Sequence, residues 1–188
     1  EDSEKAQHHP LIELRNISVQ YANGKNDLPV LDQINLRLDA NDFVCLLGPS
    51  GCGKSSLLNI LAGYQKPTAG EVMINDKPHT RPSSDVGVVF QHHNLFPWMT
   101  IEKNVEFGLK MKSVPKSERK KLVSYYLHLV GLEDSAKMLP YQLSGGMKQR
   151  ASIARTLAAD PQAILMDEPF SALDALTREN MQIHLLDI

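Results

Sequence analysis

The chain has 188 residues, 42% of them apolar and 22% charged, proportions of an ordinary globular protein with one core. A formal net charge of −2 leaves no electrostatic footprint for nucleic acid. No apolar run approaches the about eighteen residues of a membrane helix, and no signal-peptide pattern is present, so membrane association has to go through a partner. The two cysteines, Cys45 and Cys52, make neither a disulfide framework nor a zinc spacing and suit a reduced, cytosolic setting. His8-His9 and His92-His93 are too isolated for a metal site.

Residues 1–10 are polar and read as a mobile tail or a cut end. From residue 11 the pattern is that of strands: Ile17, Val19 and Tyr21 alternate, and Ile34, Leu36 and Leu38 alternate with Asn35, Arg37 and Asp39. Asn23-Gly24 and the polar residues to Asp27 supply the turn, which predicts an antiparallel sheet with one wet face. Residues 43–47 read as a strand with Cys45 buried, 54–62 as a helix, 66–70 as a turn, 71–74 as a short strand, and Asn75-Asp76 as another turn. A strand over 86–90 ends at the polar Gln91. Leu95-Phe96-Pro97-Trp98 then puts large apolar side chains in a proline-containing loop, as local core or as a docking surface. Thr100 caps a helix with Ile101, Val105 and Leu109 on one face, and 115–130 is a second helix, ended by Gly131. Met147, Ala151, Ala154 and Ala158 fall at helical spacing, 163–166 reads as a strand buried on both faces, and Asp174 caps a last helix running to Ile188.

Three segments carry chemistry. Gly48-Pro49-Ser50-Gly51-Cys52-Gly53-Lys54-Ser55 is a P-loop in its proper context, after a strand pattern and opening a helix. Its glycines let successive backbone N–H groups turn inward as an anion nest at a positive helix end. Lys54 then reaches the β- and γ-phosphates, and Ser55 offers its hydroxyl to magnesium. Asp167, delivered to the carboxyl edge of the 163–166 strand, is the expected metal carboxylate, and Glu168 stands next to it to orient or deprotonate an attacking water. Leu143-Ser144-Gly145-Gly146-Met147-Lys148-Gln149-Arg150 opens a helix and forms a second anion site through its hydroxyl and N–H groups, with no lysine partner and no metal carboxylate of its own. An economical reading gives it the γ-phosphate of a nucleotide bound to another subunit's P-loop.

Together these segments resemble the ATP-binding cassette family, the ATPase subunits of ABC transporters, from about residue 11 to the end of the chain. The resemblance makes 48–55 Walker A, 143–147 the signature, 163–168 Walker B and Ser171-Ala172-Leu173-Asp174 the D-loop. It implies an α/β fold: a P-loop NTPase (RecA-like) parallel core with an antiparallel β subdomain and a helical subdomain over about 92–158, truncated at the C-terminus. It implies ATP and Mg²⁺ as ligands, with Gly48 to Lys54, Ser55 and Ser56 on one nucleotide and Ser144, Gly145 and Gly146 on the other. It adds two roles that the residues alone do not carry. Tyr21, otherwise a sheet residue, matches the aromatic that stacks on adenine. Gln91, otherwise a strand-end polar residue, matches the Q-loop glutamine that joins metal and water to the membrane partner.

Family members continue past a last helix of this kind into a further strand and a switch histidine, for which His184 is no substitute. The resemblance therefore implies an incomplete domain, 11–188. The expected protein is the catalytic subunit of an importer, a head-to-tail homodimer on the cytoplasmic face of the inner membrane. Permease subunits would dock near 91–100, and an extracytoplasmic solute-binding protein would act indirectly. The stretch from Leu95 to Leu109 resembles importers of nitrate, sulfonates or taurine. Alternatives are a non-transport cassette ATPase, disfavoured by the short, heptad-free interval between P-loop and signature, and a nucleotide-holding fragment without turnover.

Overall fold

Alternation of apolar and polar residues builds the first of two compact units, which divide the chain at Ser83 and Ser84. The structure, a computed structural model, describes residues 10–23, 26–170 and 173–186, excepting the side chains of 21–23, 26–28, 180–181 and 184–186. In this unit β1 (Ile12–Asn23) pairs antiparallel with β2 (Asn26–Leu38) and with β3 (Ala69–Ile74), and β4 (Lys77–Pro78) extends the sheet to the order β2-β1-β3-β4. Ile12, Leu14, Ile17 and Val19 are buried, which strict alternation cannot achieve across residues 14–17. An irregularity at Asn16, with φ 50°, absorbs the extra residue and returns the apolar set to one face. Asn35 clamps it, accepting from the Asn16 N–H at 2.9 Å and donating to Asn16 Oδ1 at 3.0 Å. Opposite, Gly70 has φ 87°, and a Cβ there would come within 2.4 Å of the Arg15 and Asn16 carbonyl oxygens, so the bulge and the glycine require each other.

Two sequence expectations in this unit are corrected. The turn expected over 23–27 is tighter, because the ladder continues to the pair Asn23 and Asn26; Gly24 and Lys25 lie outside the described residues. Residues 43–47 form no strand: Phe43 is 69% and Leu47 91% exposed, and Cys45 is exposed too. An apolar run becomes a strand only when a neighbour accepts its backbone hydrogen bonds, and no described strand pairs with this one. α1 (Lys54–Leu61) follows and buries Leu57, Ile60 and Leu61.

The second unit is built on a parallel pair, β5 (Val86–Val89) and β6 (Ala163–Met166), with α2 (Ile101–Met111), α3 (Lys116–Leu129), α4 (Gly145–Ala158) and α5 (Ala175–Leu186). Thr100 caps α2 as expected, accepting from the Lys103 N–H at 3.4 Å, and Ile101, Val105 and Leu109 are buried on one face. They join the core with Val89, Leu127 and Ile153. Ala151, Ala154 and Ala158 on α4 are fully buried, small enough to let neighbouring backbones approach. β6 departs from expectation: only Leu165 is fully buried and its neighbours are partly exposed, because β6 has a described strand on one side alone.

The loop between β5 and α2 is held from below by one residue. Asn104 is wholly buried; its Oδ1 accepts from the Phe96 N–H at 2.8 Å, and its Nδ2 lies 3.1 to 3.2 Å from the carbonyls of Phe96, Met99 and Thr100. An isosteric apolar side chain would strand these backbone groups away from water. Asn104→Leu is therefore expected to cost about 3 kcal/mol of stability, seen as a lower urea midpoint with an unchanged slope.

Candidate nucleotide site

The P-loop curls around its own lysine. Gly51 and Gly53 take φ 81° and 97°, values that L side chains rarely adopt, and the Cys52 N–H closes a weak turn onto the Pro49 carbonyl at 3.4 Å. The Lys54 ammonium donates to the Gly48 and Pro49 carbonyls at 2.7 and 2.8 Å and lies 3.6 Å from Cys52 Sγ. Ser50 and Ser55 are exposed and Ser56 half-buried. α1 starts at Lys54 with no side-chain cap and no acid in its first turn, so its positive end is uncompensated. α2 and α3, by contrast, carry Glu102 and Glu118 there. The loop has the donors, the cation and the helix end that a polyphosphate needs.

The segment expected as a second anion site opens α4. Ser144 caps the helix, its Oγ accepting from the Met147 N–H at 3.3 Å, and again no acid lies in the first turn. Ser144 and Gly145 are exposed. A Cβ added to Gly145 would meet nothing within 4 Å, and its φ is not in the left-handed region. Among the described residues nothing requires a glycine at this position.

At the ends of the parallel strands, the Asp167 N–H donates to the Val89 carbonyl at 3.0 Å, continuing the ladder one residue past β6. Glu168 is exposed and has φ 47°, a strained setting for a non-glycine residue. The Gln91 Nε2 donates to Glu168 Oε2 at 3.1 Å. The second unit thus brings together two residues far apart in sequence, which the residues alone did not pair. Asp167, Gln91 and the Ser55 hydroxyl are all hard oxygen donors of the kind magnesium takes. Among the described residues no three His, Cys, Asp or Glu side chains cluster as a metal cage.

Other expected residues divide. Tyr21 lies in β1 opposite Leu28, but its side chain is outside the described residues, as are Ser171 and Ala172. Leu173 is buried. Asp174 caps α5, accepting from the Thr177 N–H at 2.9 Å, a bond that holds its carboxyl below the usual carboxylate range. The aromatic loop splits between its two readings: Phe96 turns inward, 4.8 Å from the Phe107 ring, whereas Trp98 is 72% exposed. Asn104, His93 and Gln149 were not anticipated as organising residues; the position of Gln149 within the signature octapeptide was the available signal.

A glycine-wrapped lysine at a bare helix start, behind an antiparallel sheet, and a separate unit with a parallel β-pair define a P-loop nucleotide-binding ATPase. A family model described as ABC transporter matches residues 31–171, and the chain belongs to that family. It is 45% identical over 177 residues to a nitrate import ATP-binding protein of Synechocystis, and 46% identical over 178 residues to a taurine import ATP-binding protein of Roseobacter denitrificans. Each alignment covers 94% of this chain and 66% of the relative, so the chain spans about two thirds of the length of these relatives. Among solved structures, a dimeric post-hydrolysis state of an ATP-binding cassette bound to ADP and Pi aligns with TM-score 0.85 and 38% identity. That alignment covers 93% of this chain and 81% of the other.

Gly53→Ala is expected to weaken nucleotide binding at least about tenfold, since the alanine would be strained at φ 97° and its Cβ would lie 2.9 Å from Leu31 Cδ2 and the Val30 carbonyl. Titration with a fluorescent ATP analogue measures it.

Proposed function

We propose that this chain is the ATP-hydrolysing subunit of an ABC importer, acting as a head-to-tail pair in which each ATP lies between one copy's P-loop and the other's signature helix. The observation that carries the reading is the start of α4. It has a capped, acid-free helix end and a glycine that no neighbour among the described residues demands, yet no lysine or carboxylate within Leu143 to Met147. Such an end is suited to receive a phosphate that another copy holds. The dimeric cassette bound to ADP and Pi supports the pairing by likeness.

In this reading the bonds that Lys54 makes to its own loop carbonyls are exchanged for bonds to the β- and γ-phosphates. The N–H groups of Gly51, Gly53 and the α1 start hold the remaining oxygens. Ser55, Asp167 and Gln91 would hold Mg²⁺, which when bound offsets charge on the phosphates. Glu168 orients water for in-line attack and takes up its proton, and its contact with Gln91 ties that role to the loop that follows. Ser144, Gly145 and Gly146 of the second copy close the site over the γ-phosphate, and Tyr21 stacks on adenine.

No helix among the described residues is long and apolar enough to cross a membrane. The exposed Trp98, in the loop after Gln91, supports permease docking over 91–100 and hence a peripheral place on the cytoplasmic face of the inner membrane. An extracytoplasmic binding protein would act through the permease. The names of the nitrate and taurine relatives support small oxyanions or sulfonates as the cargo.

The test is Mg²⁺-dependent ATP turnover by the full-length protein. Lys54→Ala should abolish it by removing nucleotide binding. Ser144→Arg should leave nucleotide affinity of the monomer within about twofold and still abolish turnover; loss of binding in that variant contradicts a site shared between copies. Gly145→Ala is the sharper case: it should fold at least as stably as the parent, since alanine is the better helix former by a few tenths to about 1 kcal/mol, and still lose turnover.

A further inference from the structure

The sequence motifs account for Gln91 and Ser144 separately, but the structure ties the segments that carry them to each other. Gln149, on the first turns of α4, is 1% exposed, and its Oε1 lies 2.5 Å from His93 Nδ1. Its Nε2 has no hydrogen-bond partner. A buried carboxamide with one end unpaired costs stability, and leucine or methionine would fill the same space without that cost. Stability therefore does not explain a glutamine here, whereas its contact with His93 does.

A second tie lies further along the same helix. The Arg155 guanidinium donates to the Asn94 carbonyl at 2.7 Å and sits 5.6 Å from the Phe96 ring centroid. Residues 149 and 155 are about 9 Å apart along a helix axis. Two ties at that spacing fix the orientation of the 93–96 segment as well as its position; either alone would leave a pivot.

We propose that His93 and Gln149 are a positioning pair that keeps the glutamine loop in register with the signature helix, so that Gln91 and Ser144 move as one body. The covalent lever arms are short. His93 follows Gln91 by two residues, and Gln91 donates to Glu168; Gln149 follows Ser144, the cap of the same helix, by five. A partner that shifts the loop would therefore shift the phosphate-facing end of α4 with it. Neither member of the pair belongs to the P-loop motif, so the pair would act on the arrangement for attack and not on nucleotide capture. The proposal rests on the shared-site reading given above.

A double-mutant cycle on the full-length protein tests it: His93→Ala, Gln149→Leu and the two combined, with Gln149→Glu as the variant that keeps an acceptor for His93. Each single change should lower kcat for ATP about tenfold with KM within about twofold, and the double should be no worse than the worse single. Gln149→Glu should recover at least about half of kcat. Thermal midpoints are read alongside, and Gln149→Leu should not lower them, because it removes an unpaired buried amide. An unchanged kcat, multiplied losses in the double, or a Gln149→Glu variant as slow as Gln149→Leu overturns the pair.

Hydrogen exchange gives a readout that needs no hydrolysis. In His93→Ala, amides of 91–96 and of the first turn of α4 should quicken together; quickening confined to 91–96 overturns the proposal. Absence of wild-type turnover would instead count against the ATPase reading, and the exchange result would still decide the pair.

Discussion

The first N–H groups of an α-helix have no acceptor within the helix, and the layout of this protein turns on how that deficit is met at α1 and α4. At α2 the side chain of Thr100 and the acid Glu102 meet it locally. At α1 there is only Gly53, left-handed and without a side chain, and at α4 a serine followed by glycine. Neither end has an acid in its first turn to offset its positive partial charge. A glycine cap such as that at α1 is less stable than a side-chain cap by about a few tenths of a kcal/mol, a cost that would be offset when an anion arrives. Lys54 responds to the same constraint from the other side: its ammonium rests on backbone carbonyls of the loop, holding the curl that a phosphate would otherwise hold.

Bare helix ends are useful only if they are aimed, and aiming falls to polar residues in otherwise apolar surroundings. Asn104 makes four hydrogen-bond contacts from a fully buried position, all to backbone of the 96–100 loop. It converts a proline-broken loop into a fixed platform, with Phe96 directed inward and Trp98 outward. Gln149 and Arg155 do the same from α4. At Asn104 and Gln149 the buried polar atom specifies one arrangement where apolar packing would accept several. The backbone at Glu168, strained at φ 47°, belongs to the same economy: stability is spent where geometry matters.

Features readable in the sequence were those set by neighbours along the chain. The spacing of Ile101, Val105 and Leu109 is a property of eleven helical residues, and the cap at Thr100 or Ser144 needs only three more positions. The P-loop glycines are equally local, which is why motif and structure agree there in φ angles as well as in residue types. Residues 43–47 show the opposite case. Their composition satisfies every local criterion for a strand, yet a strand is a relation between two segments, and the composition of one cannot report the other. The partial exposure of β6 has the same origin. The bulge at Asn16 was hidden for a related reason: its determinants, Asn35 and Gly70, lie on two other strands, and neither residue type in isolation points to position 16.

The site was legible in its chemical groups and not in their couplings. Lysine, serine and carboxylates announce phosphate and metal chemistry by type and order, but the hydrogen bond from Gln91 to Glu168 spans 77 positions and that between His93 and Gln149 spans 56. Such contacts exist only once β5 and β6 are paired and α4 is packed on the β5 side of the core. On the proposed reading they would let residues with no phosphate-binding character govern ones that have it. A carboxylate in the water-orienting role proposed for Glu168 would be useful only while its neighbour, its loop and the helix end that bears Ser144 hold one geometry. The second unit supplies that by hydrogen-bonding a strand-end glutamine to the carboxylate and locking the following loop to the helix that bears the serine. On the proposed reading, chemistry and coupling would share a single short segment, 91–96, which holds both the Gln91 contact to Glu168 and the His93 contact to Gln149.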